Sequence, residues 1–567
     1  MSFKNIENVS SPVIYIFGAV AVSCISYGIY DDFNGLAILI AVLFFIYIFF
    51  YFGVKFALFI SIFFAAGLYI NVLYYNVPPI IEGDIRIVKI NDYEVIGSIK
   101  GRNVCVDSDY EFICGSRYNI KGVIKYETDK YKGVVGRIEN CDIEELNDDF
   151  LSRLYEFKNN IFLRLKENIG TRKAGLIASM AFGDTANIDD DDKDNMRNYG
   201  IIHSISVSGL HVALVYGVIK AIAGNKIGIL TCGIYVLFTG CGHASIRAFI
   251  MLVSVIGSEI FKKNNNSLSS LSLSGLILLI YRPYSILEVS FHLSYLATLG
   301  IVLLNKYMNY KMYKFPKKLR ENLSITLSAQ VFTFPYLIIV FKDFSMNFII
   351  GNLVLMPFID FIVILGNILI PVYNIAPIFD FISYVCLKAI NLLDWIMVKL
   401  DMWSFPMFYG NRYAAFFYLW IIIGCYFFHK GYKKFICLPA ISIVVIIVTM
   451  YSPVLNIEYY REGALLISYR GERVLVTSAK KEIDIDRLSK VSNASKSYAI
   501  EDNINFKHIC SLKVVKKDYI LKFSNKKVIL NTSGRGTYND GCDIINFKDG
   551  PNNRIFIVGD KIVETCS

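Results

Sequence analysis

The sequence predicts a polytopic α-helical membrane protein of about a dozen spans, carrying two strand-rich soluble pieces. Three observations predict it. The 567 residues are 54% hydrophobic with a mean hydropathy of +0.46, too apolar for an ordinary soluble domain. Apolar runs recur at 13–30, 36–54, 56–70, 212–222, 246–261, 271–280, 348–370, 414–428 and 435–450, and several approach the ~20 residues that cross a bilayer. Lys and Arg gather in short loops between those runs. No alternating pattern of membrane β-strands appears.

The first run lacks a basic start and a small-residue cleavage site and continues into more apolar sequence. It therefore reads as a span, not a signal peptide. With the two runs that follow, it makes an N-terminal membrane segment over 1–74. The densest basic loop holds Lys306, Lys311, Lys314, Lys317, Lys318 and Arg320. Others hold Lys262 with Lys263, Lys220 with Lys226, and Lys430, Lys433 and Lys434. Such loops stay in the cytoplasm. Two runs separate Lys263 from Lys306 and four separate Arg320 from Lys430, so all share one side. The N-terminus then lies inside, and the pieces after the third run and after the last run lie outside.

The first outward piece, 79–146, alternates apolar and polar residues between turn signals (VIGSIKGRN, RYNIKGVIKYETD, GVVGRIENC). It reads as about five strands, the size of an OB-type barrel, a fold that suits nucleic acid. Ten Lys/Arg against thirteen Asp/Glu over 79–145 argue against a simple basic patch, and a structural β cap is the alternative. The second piece, 455–567, is strand-rich and mildly basic, with nineteen Lys/Arg against fourteen Asp/Glu. Between the first piece and the later spans, 150–170 spaces Leu151, Leu154, Ile161 and Leu165 at helical intervals among basic residues. This predicts an amphipathic helix, lying at the membrane interface or packed on the protein itself. Cys105, Cys114 and Cys141, and Cys510, Cys542 and Cys566, fall in the outward pieces. Disulfides or free thiols both fit.

Within the membrane segment 173–452, the stretch GIIHSISVSGLHV (200–212) concentrates polarity at the mouth of an apolar run. Ser204, Ser206 and Ser208 alternate with Ile205 and Val207, a period that no regular helix presents on one face. With Gly200 and Gly209, they predict a broken start to the span. Irregular backbone at membrane depth requires a cavity or burial in protein, so His203, Ser206, Ser208, Gly209 and His211 are candidates to line a path. Polar bonding between helices is the alternative. Arg247, in GCGHASIRAFIM, opens an apolar run and does not belong against lipid; it grips a phosphate or snorkels to the interface. His292 and Ser294 lie inside a span in SFHLSYLATLG. Gln330 with Pro335, and Asn352 with Pro357, mark two more, where helix breaking or interhelical bonding also explains them.

Together these motifs resemble the ComEC family of competence DNA-uptake channels. The chain shows Gly183-Asp184, His203, Ser208-Gly209-Leu210-His211, Ser245-Ile246-Arg247-Ala248, Arg282-Pro283, Phe291-His292-Leu293-Ser294, Ala329-Gln330, Pro335, and Asn352-Leu353 with Pro357, in the family's order over 173–366. Two departures stand out. The arginine motif is one residue tighter, and His292 replaces the usual glutamine. The resemblance implies a channel for single-stranded DNA, with a cytoplasmic helicase-like ATPase, an extracytoplasmic DNA receptor and a separate nuclease as partners. No Walker A pattern occurs here. Membrane lipid surrounds such a channel, and a homo-oligomer is compatible with it.

Many members end in a metallo-β-lactamase-like domain whose histidine-rich cluster holds two metals. Here only His508 of six histidines lies in the tail. The resemblance therefore implies a degenerate, shortened, non-catalytic version, with no metal, no cofactor and no enzymatic activity. Two other classes remain open: a secondary transporter for a small molecule, although no repeat is evident, and a membrane-embedded hydrolase using Ser208 and His211 as nucleophile and base.

Overall fold

A computed structural model describes residues 11–91, 94–108, 110–260, 262, 264, 266–460, 462–478, 484–500, 503–506, 510–515, 518–523, 526–532, 543–547, 552–558 and 561–566. His508, Lys263 and Cys542 lie outside them. The described chain forms two compact units, 9–333 with 345–406, and 334–344 with 407–567.

Among the described residues, eleven helices are long and apolar enough to cross a membrane. The first three are α1 (Pro12–Ile29), α2 (Asn34–Phe52) and α3 (Val54–Tyr75). Their apolar side chains stand exposed, Leu39, Phe50 and Ile62 among them, as lipid-facing helices require. Small residues set the close approach of α1 to α3: Gly67 lies against Ser23, where any Cβ would collide.

A closed five-stranded barrel follows, built from β1 (Ile80–Asn91), β2 (Glu94–Ile99), β3 (Arg102–Val106), β4 (Arg117–Lys125) and β5 (Val134–Glu145). Its order is β1-β2-β3-β5-β4. The β3–β5 pair is parallel, and antiparallel β1–β4 pairing closes it. Every second residue points inward, so Ile85, Ile87, Ile120 and Ile138 form its core. Cys105, Cys114 and Cys141 are free thiols.

Helix α4 (Phe150–Ile169) is seated on the barrel. Its N-cap Asp149 accepts from the Ser152 amide at 2.9 Å and pairs with Arg86. The Arg86 guanidinium holds that carboxyl well below the usual range. The apolar stripe Ile161, Phe162, Leu165 and Ile169 is covered by the protein itself. It packs with α5 (Thr171–Phe182), α12 (Met356–Val372) and α13 (Ala376–Asp401) in the largest core of this unit. Helix α6 (Asp190–Asn198) follows α5, and Arg172 ties α5 to Asp192 and Asp394 at 2.6 and 2.9 Å.

Helix α7 (Gly209–Phe238) doubles back on itself. Gly224 has φ +82° and ψ 174°, a conformation essentially confined to glycine. Residues 209–223 and 225–238 pack side by side: Cys232 Sγ reaches the Val212 carbonyl at 3.6 Å, and Tyr216 Oη reaches Asn225 Oδ1 at 3.2 Å. Each arm rises about 22 Å. Then come α8 (His243–Ile260), the shorter α9 (Ser267–Tyr281), α10 (Val289–Lys311) and α11 (Lys317–Val340).

The second unit holds the end of α11, the two-residue strands β6 (Asp343–Phe344) and β7 (Phe408–Tyr409), which pair, and helices α14 (Arg412–His429) and α15 (Leu438–Met450). Beyond them lie two sheets. The six-stranded sheet has order β11-β10-β9-β8-β17-β18 and the five-stranded sheet β12-β13-β14-β15-β16. Strands β8 (Leu455–Tyr460), β9 (Ala464–Tyr469), β10 (Glu472–Ser478) and β11 (Lys496–Ile500) precede β12–β16 (503–546). β17 (Asn552–Val558) and β18 (Lys561–Cys566) return to the first sheet. One core joins the sheets, including Ile457, Ile467, Val474, Leu521, Val528 and Ile555. Helix α16 (Ile485–Ser492) covers part of the other face of the six-stranded sheet through Leu488 and Val491.

Candidate functional site

The stretch before α7 is irregular, as its glycines and alternating serines predict. Gly200 has φ +66°, and a Cβ there would stand 2.7 Å from Phe348 Cβ. A clamp that the sequence does not announce fixes this turn. Asn347 donates to the carbonyls of Asn198 and Phe405 at 3.1 and 2.9 Å, and accepts from the Phe405 amide at 2.7 Å. Ser345 donates to the same Asn198 carbonyl, Tyr199 Oη reaches Met397 O at 3.0 Å, and Gly351 lies against the Tyr199 carbonyl.

A single 3₁₀ turn, Ile202–Ser204, leads into extended backbone at Ser208. The serines do not share a surface. Ser204 is buried and bonds Ile201 O at 2.7 Å, Ser206 is exposed and Ser208 is half-buried, while Ile205 and Val207 point into cores. Ser208 caps α7, and its amide donates to His211 Nδ1 at 3.3 Å. That bond assigns the proton of a neutral ring to Nε2. His211 is fully buried, and its Nε2 has no partner. His203, exposed at the turn, lies near it.

Helix α8 is laid against this break. Ser245 donates to the Val207 carbonyl at 3.2 Å. A Cβ on Gly209 would stand 2.7 Å from Arg247 Nη2 and 3.3 Å from Ala248 Cβ. Arg247 in turn donates through Nε to Ser294 Oγ on α10 at 2.8 Å, and its Nη1 reaches Met251 Sδ at 3.7 Å. Among the described residues no carboxylate pairs with it. The structure thus brings Ser208, Gly209, His211, Arg247 and Ser294 together, with His203 beside them.

The other candidates bond elsewhere. His292 bonds the backbone of Ile286. Gln330 accepts from Thr333 at 2.9 Å within α11. Asn352 donates to Phe348 O at 2.7 Å in the π-helical turn Gly351–Leu355.

Two polar features escaped the motif reading. His243 bonds Ser290 Oγ and Ser285 Oγ, each at 3.0 Å, with Glu288 at 3.3 Å; burial raises the Glu288 carboxyl above its ordinary pKa. Lys158 on α4 is 8% exposed. Its ammonium lies 4.6 Å over the Tyr155 ring and, among the described residues, within ion-pair distance of no carboxylate. The signal for Lys158 was a basic residue on a helix face that proved to be buried. For His243 it was only a histidine at a helix start. Among the described residues no three His, Cys, Asp or Glu gather where they could hold a metal ion.

Chemically, the assembly is a bundle of membrane helices interrupted by a polar break that presents an uncompensated arginine and an unsatisfied imidazole N–H. A guanidinium and an imidazole N–H so placed can donate to an anion. This is the class: a polytopic membrane protein with a polar break in its helical domain. Residues 180–431 match the family model described as competence protein. ComE operon protein 3 of Bacillus subtilis is 24% identical over 243 residues, covering 41% of this chain and 30% of the relative. Recombination protein 2 of Haemophilus influenzae is 24% identical over 223 residues, covering 35% and 28%. The chain thus aligns with less than a third of the length of these curated relatives. No solved structure matches.

Proposed function

We propose that this chain passes one strand of DNA across the cytoplasmic membrane during natural transformation. The observation that carries the reading is Arg247: a guanidinium inside the helical domain, held by Ser294 and packed on the break at Gly209, with no carboxylate among the described residues to neutralise it. A phosphodiester supplies the missing charge and fits the guanidinium fork. Arg282, which bonds the Cys241 carbonyl at 3.3 Å, and Lys158 extend the series of cations that, among the described residues, form no ion pair with a carboxylate. Together they favour a polyanion over a small neutral solute. The hydrolase reading loses support, since His211 Nδ1 accepts from the Ser208 amide and not from its hydroxyl.

The barrel is read as OB-like, on its closed order with a parallel β3–β5 pair, and as extracytoplasmic, on the basic loops. The C-terminal sheets are read as a metallo-β-lactamase-like unit without its metal cluster. A helicase-like ATPase inside and a DNA receptor outside are the expected partners.

The test is deletion of the gene in its host, scoring surface-bound and nuclease-protected labelled DNA separately. Complementation follows with wild type and Arg247→Gln. Protected uptake should vanish on deletion while surface binding persists, and Arg247→Gln, present at normal level in the membrane, should restore less than a tenth of it. Unchanged protected uptake after deletion would overturn the reading.

A further inference from the structure

The six-stranded sheet of the second unit has a polar row where a covered sheet face should be apolar. Register places it residue by residue. Arg473 on β10 lies opposite Ser468 on β9, Ser468 opposite Asn456 on β8, and Asn456 opposite Phe556 on β17. Neighbours in these strands alternate faces. Ile457, Ile467, Val474 and Ile555 therefore enter the core between the sheets, and the polar row points the other way. Leu466 and Leu475, on that same outer face, are covered by α16. The row itself is covered by the ends of two membrane helices, through Tyr413 at the start of α14 and Thr449 and Met450 at the end of α15, around a cavity of about 30 Å³.

Arg473 is 8% exposed. Its Nε has no hydrogen-bond partner, nor has Ser468 Oγ beside it, and no carboxylate among the described residues pairs with it. Arg554 lines the same cavity and donates through Nε to Asn456 Oδ1 at 2.8 Å. Arg412, next in sequence to the lining residue Tyr413, pairs with Glu458 at 2.8 Å. Arg473 is thus buried with no carboxylate beside it among the described residues. A buried charge with no counter-charge is costly, and the geometry leaves room for a ligand that removes the cost.

We propose that this cavity binds the phosphate of an anionic phospholipid headgroup, gripped by Arg473 and Arg554 and bonded by Ser468. Position favours a lipid. The cavity sits where one span begins and another ends, at the level of the headgroups. Size agrees, since the space admits one small group and not the run of nucleotides that single-strand binders track.

The full chain in detergent should retain phosphatidylglycerol in native mass spectrometry and gain thermal stability from it, but not from phosphatidylcholine. Arg473→Gln should weaken retention at least tenfold, and Arg473→Lys should recover part of it. Ser468→Val and Arg554→Gln carry the same test should Arg473→Gln not fold. Equal retention by Arg473→Gln and wild type would overturn the proposal, as would equal binding of phosphatidylcholine. Full displacement of the lipid by millimolar inorganic phosphate would assign the pocket to free phosphate. Arg473-dependent displacement by oligo-dT would assign it to nucleic acid. Either result overturns the lipid reading.

Discussion

Gly209 shows how one hydrogen atom sets a site. The Arg247 guanidinium occupies the space a side chain would need, 2.7 Å from the Cβ position. Gly209→Leu must displace Arg247 from Ser294 and should reduce protected uptake at least tenfold with the protein still in the membrane, as uptake and immunoblot together would show. Normal uptake would remove this contact from the path. Lys158 makes a second prediction, with a sign that a purely structural residue would not give. Burial lowers its pKa below 10.5, so the folded chain holds that proton less tightly than the unfolded chain. The penalty is fully present below the depressed folded pKa and fades as pH rises from there towards 10.5. Lys158→Met should therefore stabilise the detergent-solubilised protein near pH 7, by about 1 kcal/mol. The gain should shrink in alkaline buffer, and uptake should fall. Thermal melts at pH 7 and pH 10 measure it; a loss of stability at pH 7 would contradict the burial argument.

Elements were legible where one local rule decides them. The barrel strands announce themselves by period-two alternation between turn residues, and α4 by its 3.6-residue stripe, because both patterns are fixed by neighbours in sequence. What covers that stripe was not legible: Ile161 and Leu165 meet α12 and α13 some two hundred residues on. The same holds for the clamp of Asn347 on Asn198 and for Arg473, which looks like any charged strand residue until register sets it beside Ser468. The serines of 204–208 mark the break correctly, but not its faces, since a 3₁₀ turn rotates Ser204 inward.

The fold-back of α7 was hidden for a different reason. Gly224 is an ordinary glycine in an Ala-Gly-Asn triplet, and only its φ of +82° makes it a turn. The fold-back is directly testable. In a straight helix Val212 and Cys232 would lie about 30 Å apart; here they share a buried cluster. Val212→Cys should form an oxidant-dependent disulfide with Cys232, visible as protection from maleimide labelling. The cross-link should be lost when Gly224→Val forces the turn open. No cross-link in the first variant would mean a continuous helix.

For the whole molecule, the proposed sidedness rests on counting passes. The two arms of α7 return the chain to its starting level, with Lys220 and Lys226 near the tip. The residues flanking the helices of 348–401 pair as strands, Asp343 with Tyr409 and Phe344 with Phe408, so that pair of helices leaves parity unchanged however deeply it sits. We propose that the basic loops at Lys220, Lys262, Lys314 and Lys433 are cytoplasmic, as the positive-inside rule favours. The same proposal puts the barrel and the C-terminal sheets outside the cytoplasm. A channel for incoming DNA needs this arrangement, because a barrel on the cytoplasmic face would meet the strand only after transport. In a cysteine-free chain that still supports uptake, Lys100→Cys at the β2–β3 turn should react with an impermeant maleimide in intact cells. Lys314→Cys should react only after lysis. Reversed labelling would invert the molecule, and with it any role for the barrel in receiving DNA from outside.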